Sequence, residues 1–458
     1  MRNRSHLAPE TPRVWRRRSL LRAGATLAAA GGLPALGLAG CAAPGAPPQT
    51  SGKGGKAPVA LTWWMADYNG LTAKWLQSSF YPALKQKYPH IQLTVTNIPW
   101  GPTFSEKIIS AVAASNLPDL CQSGAEFVAD WALLKIARPI DEYLKGWSGS
   151  TQYSQTAWNA VTWEGKRYGV PARVDARATL VRTDDFAAAH VPMNIPASWT
   201  WSDLRALSTS LTLRKGSSVQ QFGYNISWSY QNFIAALWQN GGELLDPKTH
   251  LPTFASSAGV AALTWWIDTL NAIAPPGTQM TPSNSTVPVF ATGKVAMEYA
   301  GDGDVAAVAE YAPKKLSSVR VLPPPRQVKQ VINEFYNWFC VTTQTKYPDE
   351  AWQVLSFFNE PQNLLGYNKT LTSMPPLKKP SGAAYSAYLK DPSYKMQDFL
   401  SILGKYGRTE PIIPNFFACR DAITPEFQAA FLKQKTPAQA LQAASAKWTK
   451  LIQQRLQG

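Results

Sequence analysis

The sequence predicts an α/β fold, and three observations lead to this prediction. A strand, a helix and a second strand follow one another soon after a basic, Pro/Gly-rich beginning. Amphipathic helices with clear start signals recur toward the C-terminus. Hydrophobic residues make up 45% and charged residues 16% of the 458 residues, which supports a large buried core and excludes a disordered chain.

The first strand–helix–strand pattern predicts a parallel sheet. Residues 59–64 are β-prone, apolar residues follow at helical spacing over 76–84, and residues 91–96 read as a second strand. This order is a βαβ unit. Ligands bind beyond the carboxyl ends of parallel strands, which places Trp64 and Asp67 at a candidate binding edge.

Later segments carry helix start signals rather than chemistry. A Pro-Asp-Glu start at 348–350 and a Thr-Pro start at 436–437 each precede an apolar stripe. Asp184 and Asp185 look like paired acids, but they fit a helix start and are not expected to be catalytic. Trp63 points to the opposite face from Trp64 and is a candidate core residue.

Charge does not indicate a nucleic-acid partner. The net charge is +16, but residues 1–40 alone carry seven Arg and one Glu, and no block of like charges follows them. We therefore expect a mildly basic surface and no nucleic-acid binding.

The beginning of the chain resembles an export signal. Arg17 and Arg18 resemble the twin-arginine signal, and they precede an uncharged run of small and apolar residues at 23–40. The run ends in Leu-Ala-Gly-Cys, which resembles the bacterial lipobox and implies lipidation of Cys41. We therefore expect a signal peptide at 1–40, a Pro/Gly-rich flexible tether at 41–57, and an exported cell-surface or periplasmic lipoprotein. The alternative is a buried Cys after an ordinary membrane anchor.

Cysteine and histidine usage favours neither a metal site nor a cofactor. The chain has four Cys and four His, with no CxxC motif and no zinc-type spacing. Cys340 lies in an apolar strand and is expected to be a buried thiol. Cys121 and Cys419 fall near the candidate cleft, but a disulfide between them is not expected.

Seven short motifs in order resemble the extracellular solute-binding proteins of ABC importers, the family that includes maltose-binding protein. The resemblance covers about residues 58–456. The motifs are LPDL at 117–120, ARPIDEYL at 137–144, YGVP at 168–171, SWTWSDL at 198–204, NGGELL at 240–245, FATGKVAM at 290–297 and PDEAWQVLSFF at 348–358.

The resemblance implies the type II periplasmic-binding-protein fold, in which two α/β lobes joined by crossing segments close over a ligand cleft by hinge motion. The expected lobes are lobe I, residues 58–172 and 324–373, and lobe II, residues 173–323 and 374–458. The expected crossings lie near 171–173, 322–325 and 374–376, where Pro suits a bending strand.

The resemblance also implies a function without chemical turnover. A monomer would capture a mono- or oligosaccharide and deliver it to the permease subunits of the importer, and the chain has no Walker A pattern of its own. Two alternatives stay open. The same fold could bind a polyamine, an iron chelate or a phosphate ester, the last through Arg173, Arg177, Arg408 or Arg420. The protein could also be an exported glycoside hydrolase, which needs two carboxylates.

Aromatic and planar polar side chains are the residues that a sugar site requires, because rings cover C–H faces and carboxylates, amides and guanidinium groups pair with hydroxyls. By position in the family pattern, the candidate ligand contacts are Trp64, Asp67, Gln122, Glu126, Asp175, Trp228, Gln231, Asp302, Asp304, Phe416, Phe417 and Arg420.

Some of these candidates have structural alternatives. Trp228 could be core, and Asp302 and Asp304 could shape a Gly-rich turn. Many relatives carry a stacking Trp in the loop that corresponds to 301–304, and this chain has none there. Phe416 and Phe417 stand where maltose-binding protein has Trp and Tyr, so stacking can persist but a hydroxyl bond cannot.

Overall fold

One mixed β-sheet organises the described part of the chain. The structure is a computed structural model that describes residues 56–67, 70–99, 102–226, 229–274 and 289–457. Its strands are β1 (Val59–Asp67), β2 (Ile91–Pro99), β3 (Leu120–Gly124), β4 (Thr162–Trp163), β5 (Lys166–Arg167), β6 (Val170–Arg182), β7 (Leu213–Lys215), β8 (Ser218–Ile226), β9 (Val295–Gly301), β10 (Val319–Leu322), β11 (Ile332–Val341) and β12 (Gly407–Thr409).

Ten of the described strands form the sheet, in the order β2-β1-β3-β11-β6-β9-β8-β7, while β10 pairs with β6 and β12 pairs with β11. The helices are α1 (Leu71–Trp75), α2 (Tyr81–Lys87), α3 (Pro102–Ala113), α4 (Val128–Leu133), α5 (Asp141–Lys145), α6 (Gln155–Asn159), α7 (Thr183–Ala188), α8 (Trp201–Ser210), α9 (Tyr230–Gln239), α10 (Ser257–Ile273), α11 (Asp302–Tyr311), α12 (Pro348–Phe358), α13 (Pro361–Leu371), α14 (Ala383–Lys390), α15 (Met396–Tyr406), α16 (Phe416–Phe431) and α17 (Pro437–Gln457).

The predicted βαβ unit is present. Strands β1 and β2 run parallel, and α1, a π-helical turn and α2 lie between them in the chain. Trp63 is fully buried and packs edge-on against Phe339 and Phe358, with ring centroids 4.8 and 5.0 Å away. The α/β prediction is confirmed, and Trp63 belongs to the core.

The local signals for helices and thiols are also confirmed. Helices α12 and α17 begin at the predicted prolines, and the paired acids at 184–185 lie in the first turn of α7. Cys121, Cys340 and Cys419 are buried free thiols. Cys41, Arg17 and Arg18 lie outside the described residues.

The long strand β6 joins the two parts of the sheet. Its first half pairs antiparallel with β11, and its second half pairs with β9 and β10. The third expected crossing touches this strand, because Met374 forms a bridge with Val174. The residue limits of the two lobes stay a prediction.

A buried arginine fixes the end of β6. Arg182 is 1% exposed, and its Nε donates to Asp185 Oδ2 at 2.6 Å. Its two terminal nitrogens donate to the carbonyls of Phe290 and Val295, at 3.0 and 2.7 Å. The guanidinium group therefore ties β6 to the start of β9, and Asp185 neutralises its charge.

We expect Asp185→Ala to lower the free energy of unfolding by about 3–5 kcal/mol, because it leaves the buried Arg182 charge without a carboxylate. Asp184→Ala is the matched control, since Asp184 and its partner Lys315 are partly exposed and such pairs contribute at most about 1 kcal/mol. Urea unfolding followed by tryptophan fluorescence measures both. Equal losses in the two variants would contradict the role given to Arg182.

Candidate ligand-binding cleft

A pocket opens between α3, the end of β3 and the start of α16. Its empty volume is about 490 Å³, including open space at its mouth. The lining residues are Phe104, Ser105, Ile108, Ser123, Glu126, Phe127, Trp131, Gln231, Phe416, Phe417 and Arg420. The structure thus brings together five predicted site residues, namely Glu126, Gln231, Phe416, Phe417 and Arg420.

One wall of the pocket is aromatic. Phe127 stacks on Phe417, with ring centroids 4.3 Å apart and an interplanar angle of 26°. Phe416 meets Phe127 edge-on at 4.8 Å and is almost fully buried. The guanidinium carbon of Arg420 lies 5.2 Å from the centroid of Phe417. The wall therefore offers flat apolar surface beside a cation.

A buried aspartate positions this wall. Asp130, on α4, accepts hydrogen bonds from the backbone N–H groups of Asn415 and Phe416, at 2.7 and 3.0 Å. It also forms an ion pair with Arg455 at 3.1 Å. Asn415 has a left-handed backbone, with φ at 61°, and marks the turn into α16. Asp130 thereby satisfies the orphan donors at the start of α16 and holds its aromatic residues against Phe127.

The carboxyl group of Glu126 is enclosed at the pocket wall, although part of its side chain is exposed. It folds back over Gly124, where an added Cβ would lie only 2.4 Å from Glu126 Oε2. Burial raises the pKa of Glu126 to about 7. A hydrogen bond from its own backbone N–H and the charge of Arg420 lower this pKa, and the charge of Asp175 raises it further. Glu126 therefore titrates near neutral pH.

A second group of charged residues lies along β6 and at the start of α11. Arg173 pairs with Asp175 at 2.8 Å, and Arg177 pairs with Asp304 at 3.6 Å. Asp302 is 2% exposed, and burial, with the charge of Asp175 added, raises its pKa well above the usual range. The charge of Asp175 thus contributes to the raised pKa values of both Glu126 and Asp302.

The segment 301–304, expected to be a loop, is instead the end of β9 and the first turn of α11. The carboxylate of Asp304 accepts a hydrogen bond from the Gly301 N–H at 2.7 Å and so caps the helix. Asp304 is also paired with Arg177, so its contact with a ligand stays a prediction that competes with a structural role.

The remaining candidates lie in different settings. Gln122 is fully buried, where Oε1 accepts from the Ala66 N–H at 3.0 Å and Nε2 donates to Asn337 at 3.2 Å. Trp64 is partly buried, with the Lys107 ammonium 4.6 Å from its ring centroid. The side chain of Asp67 and all of Trp228 lie outside the described residues.

Sequence reasoning missed a buried carboxyl behind the pocket. Glu410 Oε2 accepts a hydrogen bond from the Tyr230 hydroxyl at 2.7 Å, next to the pocket residue Gln231. Burial raises the pKa of Glu410 to about 8, and the charge of Glu126 contributes to the increase. Glu410 reaches this position through the pairing of β12 with β11, which no local pattern reveals. Phe127, by contrast, follows the end of β3 and could have been found from the strand-edge rule.

The described residues contain no group of three His, Cys, Asp or Glu side chains arranged to hold a metal ion. Within the same residues, no helix has both the length and the apolar character needed to cross a membrane.

Comparison with known proteins identifies the family. The family described as bacterial extracellular solute-binding protein matches residues 69–364, and the chain belongs to this family. Relatives in Brucella abortus and Brucella suis, described as putative binding proteins, are 23% identical over 399 residues, which cover 84% of this chain and 91% of theirs.

Solved structures confirm the predicted two-lobe type II periplasmic-binding-protein fold. The ABC substrate-binding protein of Listeria monocytogenes in complex with cycloalternan is 20% identical, with a TM-score of 0.73 and coverage of 86% of this chain and 98% of that one. A solute-binding protein of Thermotoga lettingae bound with α-D-tagatose is 20% identical, with a TM-score of 0.74 and coverage of 86% and 99%. A third structure, with mannotriose bound, is 26% identical, with a TM-score of 0.73 and coverage of 85% and 100%.

We expect Glu126→Gln to change how stability depends on pH. The pKa of Glu126 rises from 4.5 to about 7 on folding, so its ionised form is disfavoured in the folded state. The stability linked to this group is full below pH 4.5 and is lost as pH rises through 7. The variant should therefore gain up to about 3 kcal/mol relative to the parent between pH 5 and pH 9.

Unfolding free energies at both pH values measure this difference, and Glu106→Gln, an exposed carboxyl on α3, is the matched control. A difference between parent and Glu126→Gln that does not change with pH would show that the Glu126 carboxyl is solvated.

We expect Gly124→Ala to displace the Glu126 carboxyl at little cost in stability. The clashing atoms are the end of a flexible side chain, so the net change should stay within about 1 kcal/mol. The displaced carboxyl should regain an ordinary pKa, and the pH dependence should flatten as in Glu126→Gln. Gly223→Ala is the contrasting control, because its Cβ would lie 1.8 Å from the Ser208 carbonyl oxygen and should destabilise the fold. An unchanged pH dependence in Gly124→Ala would refute the enclosure of Glu126 over Gly124.

Proposed function

We propose that this protein is the lipid-anchored extracellular solute-binding component of an ABC importer, which captures a mono- or oligosaccharide and delivers it to the membrane permease. The observation that carries this proposal is the pocket in which the stacked rings of Phe127 and Phe417 adjoin Glu126, Gln231 and Arg420. Family membership supports the transport role, and the sugars named in the related structures support the ligand class.

The chemistry of the pocket suits a carbohydrate. An aromatic face covers the C–H face of a sugar ring, while Glu126, Gln231 and Arg420 supply planar acceptors and donors for paired hydroxyls. Such groups discriminate against ligands that lack a matching hydroxyl, because they would then stay buried and unpaired. We propose the other predicted residues, Trp64, Asp67, Gln122, Asp175, Trp228, Asp302 and Asp304, as outer parts of the same cleft.

Delivery follows from closure of the lobes. Strand β6 contains the first expected crossing and pairs with both parts of the sheet, so we propose this crossing and those near 322–325 and 374–376 as the hinge segments. We propose lobe I at 58–172 and 324–373, and lobe II at 173–323 and 374–458. The ligand then binds between the lobes and leaves unaltered when the monomer meets the permease.

The export features complete the proposal. Arg17 and Arg18 direct export through the twin-arginine route, and Cys41 carries the lipid that anchors the mature chain. The tether up to residue 57 lets the binding domain reach solutes and permease while it stays at the membrane.

The arginine pairing disfavours a phosphate ester as the ligand. Each arginine that could hold a phosphate already has a carboxylate partner, and a phosphate would have to displace it. The pairs are Arg173 with Asp175, Arg177 with Asp304, Arg408 with Glu243 and Arg420 with Asp421.

A thermal-shift screen tests the function. Sugars, polyamines, iron chelates and phosphate esters are compared, since only a ligand that binds the folded state raises the melting temperature. A shift with sugars alone, and recovery of the sugar intact after incubation, is expected. A shift with another class alone, or a cleaved sugar, would overturn the proposal.

We expect Phe417→Ala to weaken binding of the best sugar in that screen by about 1–3 kcal/mol, because the stacking face is lost. Isothermal titration calorimetry measures the change. Leu432→Ala is the matched control, because Leu432 is 58% exposed at the other end of α16. Equal affinities for Phe417→Ala and the parent would show that the aromatic wall does not contact the ligand.

A further inference from the structure

The cleft holds more carboxyl groups than cations to balance them. The three arginines at the pocket and along β6 each have a carboxylate partner, in the pairs Arg173–Asp175, Arg177–Asp304 and Arg420–Asp421, while the Lys107 ammonium lies over the ring of Trp64. Glu126, Asp302 and Glu410 form no ion pair among the described residues. Buried carboxyls without a cation must be protonated or be neutralised by something that enters the cleft.

Two of these carboxyl groups also have an oxygen atom that accepts no hydrogen bond. Glu410 is 8% exposed, and its Oε1 has no partner at hydrogen-bond distance in the described part of the chain, although the nearby Asn333 side chain lowers the pKa of Glu410. Asp302 is 2% exposed, and its Oδ2 also has no hydrogen-bond partner among the described residues. A buried acceptor without a donor costs about 1–3 kcal/mol, so both carboxyls favour the protonated form unless a positive charge comes near them.

The carboxyls repel one another electrostatically, while the charge of Arg177 acts on Glu410 and Asp302 in the opposite sense. The charge of Glu126 acts on Glu410, and the charge of Asp175 acts on Asp302. A sugar hydroxyl that binds Glu126 in the pocket would leave this repulsion unchanged. An ammonium group donates three hydrogen bonds and also supplies the missing positive charge.

The geometry places the charge deficit beside the stacking wall. Glu126 lines the pocket itself, and Tyr230, which binds Glu410, packs against the pocket residue Phe416 with ring centroids 5.7 Å apart. A ring stacked near Phe417 could therefore direct a substituent toward the carboxyls.

We propose that the ligand is an amino-substituted saccharide whose ammonium group sits in the cleft against Glu126, with the carboxylate of Glu410 behind it. This inference rests on the proposed carbohydrate-binding function and specifies the ligand of the same site. The nitrogen need not react, because its role is to neutralise and to hydrogen-bond the buried carboxyls.

Matched sugar pairs test this proposal. Glucosamine and glucose, galactosamine and galactose, mannosamine and mannose, and the β-1,4-linked glucosamine disaccharide and cellobiose each differ only by amine and hydroxyl. By calorimetry at about pH 7, we expect the amine of the recognised pair to bind at least about tenfold more tightly. Glu126→Gln and Glu410→Gln should each reduce this advantage severalfold, and Glu106→Gln, outside the pocket on α3, should not.

Proton release gives a second readout on the unmodified protein. At about pH 6, Glu126 and Glu410 are mostly protonated, because their pKa values lie at about 7 and about 8. An ammonium ligand favours their ionised forms, so its binding should release protons, seen as a heat that varies with the ionisation enthalpy of the buffer. Proton release tests the proposed ammonium site even if the Glu410→Gln variant fails to fold.

The outcomes separate the two proposals. If hydroxyl sugars bind as tightly as their amines or more tightly, or if the amine binds without proton release, the amine inference is overturned and carbohydrate binding stands. If none of these sugars binds but an unaminated sugar of the thermal-shift screen does, only the amine inference is overturned. If no sugar binds at all, carbohydrate binding is overturned and the amine inference with it.

Discussion

The antiparallel pairing of β6 with β11 is the constraint on which the proposed cleft depends. A strand alternates its side chains between two faces, so a strand that passes from one part of the sheet to the other can build core and cleft together. Arg173, Asp175 and Arg177 fall on one face of β6. The intervening residues at 172, 174 and 176 are small and buried. The same residues that hold the two halves together thus place charges where the halves meet.

Charge in such a place conflicts with stability. Enclosure disfavours the ionised forms of Glu126 and Glu410, as the increase in their pKa values shows. A fold optimised only for stability would replace these carboxyls or pair them with cations. Titratable groups held in unfavourable settings concentrate at functional sites, where a ligand supplies what the protein lacks. The unpaired carboxyls therefore carry more information about the ligand than the paired arginines do.

The sequence predicts the local elements well and the assembled site only in part. The βαβ unit, the helix starts at 183–185, 348 and 437, and the buried Cys340 follow from short patterns, and the structure confirms them. The segment 301–304 was misread because its glycines suggest a loop, whereas Asp304 caps a helix there. Glu410 could not be found at all, since only the long-range pairing of β12 with β11 brings it to the cleft. Local patterns determine elements, but which side chains meet depends on the register of distant strands.

Under the proposed lobe boundaries, the contacts that build the pocket also control its opening. Asp130 and Phe127 would belong to lobe I, and Asn415, Phe416 and Phe417 to lobe II. Opening would break the hydrogen bonds between Asp130 and the start of α16 and separate the stacked rings. Closure would then be favoured by protein contacts before any ligand contributes, while the repulsion among Glu126, Asp175 and the buried carboxyls would oppose it. A ligand shifts such an equilibrium only by its differential affinity for the closed form, and a group that cancels this repulsion contributes only when the lobes are closed.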